Sequence, residues 1–381
     1  MKCTPLLVVL PALLLLFACA TAEDERSAAD QPDRAAVSKS AANESKANDA
    51  TAANESTSRD TAAADGSGES SSRPADARSE ARPGGTGRSG GRPSFERLSP
   101  EEAAERESKF LANVRQLTFE GKTGEGYFSP DMKSIIFQSI RGDHPFYQIY
   151  IRNLETGEER MVSTGHGRTT CAYFHPTKPR IIYASSHLDP DRDEEVEKEL
   201  ERLLEQRRNP GRRSYEWAFD PFMDIFEADL DGGNMTQLTK AAGYDAEGAY
   251  SPDGKQIVYC SYAAGGHAGD IWVMDSDGSN KRQLTDSPGY DGGPFFSPDG
   301  KRIIFRGEVR RRMYLQLFVT NADGEPGSEI QLTDNDDVNW GPYWHPDNKH
   351  IIWATSKHGH YNYELYLMNL NTRKTQRVTH T

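Results

Sequence analysis

The chain has 381 residues, a formal net charge of −13 and four cysteines. The acidic balance excludes a nucleic-acid partner held by phosphate contacts and suits a soluble protein outside the cytoplasm. Four cysteines are too few for the disulfide framework of a small secreted domain.

Residues 1–22 have the layout of an export signal. Lys2 is followed by an apolar stretch, Leu6 to Phe17, that is too short to span a membrane. The stretch ends in "LFAC", which resembles the bacterial lipoprotein box and predicts lipidation of Cys19. The alternative is cleavage by ordinary signal peptidase after the "ATA" of Ala20 to Ala22. In either case we expect an exported protein, periplasmic or anchored to the outer membrane by the lipid.

Residues 23–98 consist mainly of Ala, Ser, Asp, Glu, Arg and Gly, with almost no large apolar side chain. Such a segment buries too little surface to offset its ordering entropy, so we expect a disordered, charged tether. It contains "GRSGG", Gly87 to Gly91, which formally matches the G-x-S-x-G of serine hydrolases. That motif needs a strand before it and a helix after it, so no nucleophile is expected in the tether.

A short helix is predicted at residues 99–113. Ser99 at the N-cap, Pro100 at the first helical position and Glu102 two residues later make a capping box. Phe110 adds to a small apolar stripe. We therefore expect a helix that caps the domain that follows.

Residues 114–381 repeat one pattern. The copies read "GYFSPDMKSIIF", "AYFHPTKPRIIY", "AYSPDGKQIVY", "FFSPDGKRIIF" and "YWHPDNKHIIW", with their prolines at 130, 176, 252, 298 and 346. The second interval is longer than the others, and its excess falls at residues 187–216. There Val196, Leu200, Leu203 and Leu204 recur at helical spacing, which predicts a helical insert.

Each copy predicts four short strands. The "PDG" is turn chemistry, because Pro presets φ, Asp accepts bonds from its own turn and Gly tolerates a positive φ. Strand patterns such as "KQIVY", "DIWVMDS" and "RQLT" follow. Four strands per unit with tight hairpins predict the blade of a β-propeller. The fold class is therefore all-β, with five complete four-stranded antiparallel blades, a helical insert and a long disordered N-terminus.

The fourth-strand pattern occurs once more often than the first-strand pattern. The extra copy is "VRQLT", Val114 to Thr118, which precedes any first strand. Because propellers commonly close by letting an N-terminal strand complete the last blade, this orphan outer strand predicts a sixth blade. The other strands of that blade would need about 40 residues, either beyond Thr381 or from another chain. The alternative is a five-bladed ring with 114–118 as an extra outer strand.

The combination of "SPDGK-x-I-x-Y/F", "DIWVMDSDG" and "RQLT" is similar to the WD-like, PD40-type repeat of TolB-type propellers, a family of exported bacterial proteins. The resemblance covers 114–381 and implies a non-enzymatic, envelope or transport-associated propeller. The sequence departs from TolB in having the tether where TolB has a folded N-terminal domain. The same repeat forms the propeller of several exported peptidases. The alternative is therefore the propeller part of a prolyl-oligopeptidase-like or metallopeptidase chain whose catalytic domain is absent here.

Binding residues of a propeller concentrate on the loops at one face. The loops that enter the inner strands and the loops between second and third strands meet there. They carry the candidate binding residues Glu125, Arg168, Asp245, Glu247, Asp291, Asn339, His144, His267, His358 and His360. The alternative is that these are solvated loop residues. For Asp245 and Asp291, each in a "GYD", the alternative is a packing role in every blade.

No H-E-x-x-H, C-x-x-C or P-loop motif is present, so we expect no catalytic residue, cofactor or metal site. The expected partner is an envelope protein or a peptide, bound at the loop face, with membrane attachment through the N-terminal lipid. The sequence leaves open whether Cys171 and Cys260 pair.

Overall fold

A computed structural model describes residues 98–209, 219–263, 268–309, 314–360 and 362–380. The export signal with Cys19, the tether up to residue 97 and His267 lie outside the described residues. Within the described ranges, no helix has the length and apolar character needed to cross a membrane.

The described chain folds into five four-stranded blades. Blade 1 contains β1 (Lys122–Phe128), β2 (Ser134–Ile140), β3 (Gln148–Asn153) and β4 (Glu159–Met161). Blade 2 contains β5 (Thr169–Phe174), β6 (Arg180–Ser185), β7 (Phe222–Asp229) and β8 (Thr236–Gln237). Blade 3 contains β9 (Gly243–Tyr250), β10 (Gln256–Ala263), β11 (Asp270–Asp275) and β12 (Arg282–Gln283). Blade 4 contains β13 (Asp291–Phe296), β14 (Arg302–Glu308), β15 (Leu315–Asn321) and β16 (Ile330–Gln331). Blade 5 contains β17 (Asn339–Trp344), β18 (His350–Thr355), β19 (Glu364–Asn369) and β20 (Thr375–Arg377).

Within each blade the strands pair antiparallel in chain order, so the predicted all-β blade architecture is confirmed. A parallel pairing of β7 with β9, at Phe222 and Gly243, also joins blades 2 and 3 into one sheet. The innermost strand of each blade is its first one, which places β1, β5, β9, β13 and β17 around the propeller axis.

The hairpin turns between first and second strands follow the predicted turn chemistry. In blade 3 the Ser251 hydroxyl donates to Asp253 Oδ1 (2.7 Å), and Oδ1 also accepts the Lys255 N–H (3.1 Å). Gly254 has φ of +69°, and a Cβ there would meet the ring of His175 in blade 2 at 2.4 Å. This turn therefore needs glycine for its backbone conformation and for the close approach of the neighbouring blade.

Two helices accompany the blades. The predicted capping box is present on α1 (Pro100–Glu107), where the Glu102 N–H donates to Ser99 Oγ (3.2 Å) and the Ser99 N–H donates to Glu102 Oε2 (3.0 Å). The helix ends at Glu107, earlier than the predicted 113. The insert forms α2 (Arg192–Arg208), and none of its side chains is buried.

The segment Val114–Thr118 differs from the sequence expectation. It lies in no strand of the structure, and Val114 is 78% exposed. A fourth strand needs a third strand beside it, and none of the described strands pairs with this segment. Blade 1 also has the most exposed inner strand, because only Tyr127 of β1 is buried whereas every residue of β13 is. A sixth blade next to blade 1 stays a prediction.

Candidate functional site

Every inner strand carries a β-bulge near its start, toward the loop face of the propeller. The pairing register with the second strand shifts at this point in all five described blades. A bulge places two residues opposite one and redirects their side chains. The bulge residues at the axis are Glu125, Cys171, Glu247, Gly293 and Gly341. Two carboxylates, one thiol and two glycines therefore lie at this level of the axis, and the Arg306 guanidinium fills the place beside Gly293.

Glu247 is held by a buried ion pair. Its Oε1 lies 2.6 Å from Nη2 of Arg306, and the two side chains are 6% and 5% exposed. The Gly293 N–H and the Tyr290 hydroxyl donate to Glu247 Oε2, at 2.5 and 2.9 Å. The guanidinium of Arg306 also stacks on the ring of Trp340, 3.8 Å from its centroid. Charge and hydrogen bonds of Glu247 are thus satisfied inside the protein.

Glu125 is the second axial carboxyl and is held differently. It accepts hydrogen bonds from the Tyr127 hydroxyl (2.5 Å) and the Cys171 thiol (3.3 Å). Among the residues that the structure describes, no basic side chain forms an ion pair with it. Burial raises the pKa of Glu125, and the charge of nearby Glu247 raises it further. A cation placed at this carboxyl would reverse that penalty.

Two buried thiols, Cys171 at the axis and Cys260 in β10, lie near this level and are unreactive. Cys171 and Cys260 are both free and buried, so they do not pair. Burial raises the pKa of both thiols well above the usual value, and neighbouring carboxylates such as Glu125 and Glu247 add to the effect. Because the thiolate is the reactive form, both groups stay protonated and inert near neutral pH.

An aromatic layer closes the axis next to the bulge layer. The ring of Phe295 lies 4.9 Å from that of Tyr343 and 5.6 Å from that of Tyr127. The hydroxyl groups of Tyr173 and Tyr343 are 2.9 Å apart, so blades 2 and 5 meet across the axis. Blade 3 contributes the small Ala249 at this level, which leaves four rings to fill the channel.

The opposite end of the axis opens into an apolar cavity of about 240 Å³. Its walls are the prolines of the hairpin turns in blades 2 to 5 and the adjoining aromatics: Tyr173, Pro176, Tyr250, Ser251, Pro252, Phe296, Pro298, Tyr343, Trp344 and Pro346. The aromatic layer therefore separates a charged mouth on the loop face from an apolar mouth on the turn face.

This blade pattern agrees with known proteins. Residues 264–381 match the PD40 family, described as the TolB beta propeller domain. A TolB-type structure from Agrobacterium tumefaciens superposes with a TM-score of 0.52 at 19% identity, covering 69% of this chain and 83% of that one. TolB from Acinetobacter baumannii gives 0.49 at 18% identity over 68% and 54% of the two chains, and Kuenenia stuttgartiensis hydrazine synthase gives 0.51 at 15% identity over 68% and 38%. The chain has the fold of a TolB-like β-propeller.

Of the predicted binding residues that the structure describes, the TolB-like propeller brings only Glu125 and Glu247 together at its axis. Asp245 is buried beside the hydroxyl groups of Ser261 and Thr239. Asp291 is also buried. These carboxyls occupy equivalent places at the start of β9 and β13, where they join the first strand of a blade to its neighbours.

The third buried residue at this level is Asn339, which is fully buried in blade 5. The Trp353 indole N–H donates to its Oδ1 (3.0 Å), and its Nδ2 donates to Asn335 Oδ1 (3.0 Å). Its hydrogen-bonding groups are therefore engaged inside the blade.

The other predicted residues within the described ranges lie apart from the axial site. Arg168 stacks on Phe146, 3.7 Å from the ring centroid, and lies 3.8 Å from Glu195 of α2. His144 is half-buried, and its Nδ1 accepts the Phe146 N–H (3.3 Å). The Nε2 of His358 is 2.7 Å from the Tyr366 hydroxyl, and His360 is exposed. Their role as a binding face stays a prediction.

Sequence reasoning missed Arg306, which completes the axial site of this TolB-like propeller. At the same place in the other second strands stand Gln138, Ala184, Cys260 and Ala354. A charged residue at one copy of a position that is otherwise uncharged was the available signal. A buried charge is retained only with a partner, which Glu247 supplies.

We expect Asp291→Asn to flatten the pH dependence of stability. Burial raises the pKa of Asp291 to about 7, although hydrogen bonds from Thr285 and Ser287 lower it. A carboxyl with a raised pKa stabilises the fold below its unfolded pKa, and that stabilisation disappears as pH rises through the folded value. Between about pH 5 and pH 7 the wild type should lose about 2 to 3 kcal/mol relative to Asp291→Asn in urea unfolding.

The control is Asp253→Asn in an exposed turn. Hydrogen bonds from the Ser251 hydroxyl and the Lys255 N–H lower the pKa of Asp253. Its stabilisation is present above the unfolded pKa and is lost on acidification, so this variant should show the opposite sign. Parallel pH profiles for wild type and Asp291→Asn would contradict the assignment.

Proposed function

We propose that this chain is a non-enzymatic, extracytoplasmic propeller that binds a protein or peptide at the loop mouth of its axis. The observation that carries the proposal is Glu125, a half-buried carboxyl next to Glu247 with a raised pKa. A basic group would find a carboxyl there that accepts hydrogen bonds from Tyr127 and Cys171 but forms no ion pair among the described residues.

The chemistry of the site favours recognition of a lysine, an arginine or an amino terminus. Glu247 and Arg306 neutralise each other, so the excess negative charge resides on Glu125. Gly341 adds no side chain at this level, whereas the Arg306 guanidinium fills the place beside Gly293, so a basic group would approach Glu125 from the mouth. A short extended segment with one basic residue fits this mouth, whereas nucleic acid does not.

Two features support a binding role over catalysis. Burial raises the pKa of the axial Cys171 thiol well above its usual value, and Glu247 is paired with Arg306 and with the Gly293 N–H. The fold resembles TolB, so an envelope or transport-associated role outside the cytoplasm is the natural setting. Attachment through a lipid on Cys19 belongs to the same proposal and is supported by the sequence of residues 1–22. The alternative of a peptidase propeller stays a prediction.

A peptide-library selection tests the proposal. Purified wild-type protein should retain random seven-residue peptides enriched in lysine and arginine. Glu125→Gln keeps the side-chain shape but removes the charge, so the enrichment should disappear. The matched control is Glu155→Gln, on an exposed turn between β3 and β4, which should select like the wild type. Equal enrichment by wild type and Glu125→Gln would overturn the proposal.

A further inference from the structure

The hairpin turn between β17 and β18 differs chemically from the other four. It reads His345-Pro-Asp-Asn-Lys-His350 and places two imidazoles beside one carboxylate. Equivalent turns begin with Ser in blades 1, 3 and 4. Blade 2 begins its turn with His175 but has Thr177 where blade 5 has Asp347.

We propose that His345, Asp347 and His350 bind a divalent transition metal of the zinc type. One ligand atom from each residue lies within 4.8 Å of the others. His345 Nδ1 is 3.1 Å from Asp347 Oδ1, and His350 Nδ1 is 2.7 Å from Asp347 Oδ2. Small side-chain rotations would bring the three donors to the roughly 2.0 to 2.2 Å that such a metal requires.

Turn formation does not explain both histidines. Asp347 Oδ1 accepts the Lys349 N–H (2.8 Å), which is the bond that Asp253 makes in blade 3, and it also accepts the His350 N–H (3.0 Å). His345 stands where other turns have serine, and its Nδ1 accepts the Asp347 N–H (3.2 Å), as His175 Nδ1 accepts the Thr177 N–H in blade 2 (3.1 Å). The place of His350, however, is taken by Ser, Arg, Gln and Arg in blades 1 to 4. The turn therefore needs neither the imidazole of His350 nor Oδ2 of Asp347 for its own hydrogen bonds.

The donor set indicates the class of metal. Two imidazole nitrogens and one carboxylate oxygen suit zinc, nickel or copper better than calcium or magnesium, which prefer all-oxygen sites. Three protein ligands leave a fourth position for water or an added ligand. The side chains are 22%, 35% and 30% exposed, so an ion can reach them from solvent.

Metal binding also requires a defined tautomer. His350 Nε2 now lies 2.9 Å from Asn369 Nδ2. Coordination through Nδ1 leaves the proton on Nε2, so the His350 ring must shift away from the Asn369 amide, whose Oδ1 accepts the N–H groups of Asn371 (3.1 Å) and Thr372 (3.0 Å).

Zinc calorimetry on the purified protein without a histidine tag tests the proposal, and the repeat itself supplies the variants. His345→Ser and His350→Arg install residues that other blades carry at those positions, so the turn should still fold. Wild type should bind one Zn²⁺ at this site, and each variant should lose at least ten-fold in affinity for it. His175→Ala, in the one other turn that begins with histidine, should bind as tightly as wild type.

Visible absorption of the Co²⁺ form gives a second readout. A tetrahedral cobalt spectrum should be present in wild type and His175→Ala and absent in His345→Ser and His350→Arg. Thermal midpoints measured without metal check that the variants are folded. No Zn²⁺ binding by wild type, or unchanged binding by either turn variant, would overturn the proposal.

Discussion

Replacing Arg306 by Met should destabilise the propeller by about 3 to 5 kcal/mol, because it leaves the buried carboxylate of Glu247 without its counter-charge. The pair is 2.6 Å apart and nearly inaccessible to water. Urea unfolding followed by tryptophan fluorescence measures the loss. The double variant Glu247→Gln/Arg306→Met removes both charges and should recover much of it, since the unpaired charge is the main cause.

The control for Arg306 is an exposed ion pair. Lys133 Nζ lies 3.5 Å from Glu155 Oε1, with both side chains more than half exposed. Lys133→Met should therefore change the free energy of unfolding by less than about 1 kcal/mol. A loss below about 1 kcal/mol for Arg306→Met would contradict the buried-pair interpretation. So would a double variant that loses as much stability as Glu247→Gln and Arg306→Met lose together when made singly.

Phe295→Ala should cost about 3 to 5 kcal/mol, because it opens a cavity in the aromatic layer that closes the axis. The Phe295 ring contacts Tyr127, Tyr173 and Tyr343, which belong to three different blades. Blade 3 already has Ala249 at this level, so no larger neighbour can fill the space. The measurement is the denaturant midpoint together with the slope of the transition.

Phe219→Ala serves as the comparison for the aromatic layer. Its ring touches Tyr244 and Tyr262 but is 41% exposed, so we expect less than half the loss. Equal losses of unfolding free energy in Phe295→Ala and Phe219→Ala would mean that the axial layer stabilises the fold no more than an aromatic contact at the surface does.

Local patterns in the sequence were sufficient to predict the blades. The turn signal around Pro252 and the β-branched run after it lie within one hairpin, so their consequence is visible over a few residues. The same holds for the capping box at Ser99 and for the helical insert. The prediction of a strand at 114–118 was wrong for a non-local reason. A strand needs a neighbouring strand to pair with, and the local sequence pattern does not show whether one is present.

The axial site could be predicted only in part. Glu125 and Glu247 stood out as loop-face acids, but their meeting depends on how the ring closes. Glu247 and Arg306 belong to different blades and become partners only through the bulge of β9. Asp245 and Asp291 lie in the same "GYD" motif of neighbouring blades. Each blade packs against the next in the same way, which explains why both carboxyls are buried.

Photo-crosslinking of a selected basic peptide tests the loop-mouth site most directly. A photoreactive amino acid is placed either at exposed His166, in the loop that enters β5, or at exposed Asp253, in a turn on the opposite face. We predict crosslinks from position 166, abolished by Glu125→Gln, and none above background from position 253. Crosslinks mainly from position 253, or crosslinks from 166 that persist in Glu125→Gln, would contradict binding at the charged mouth.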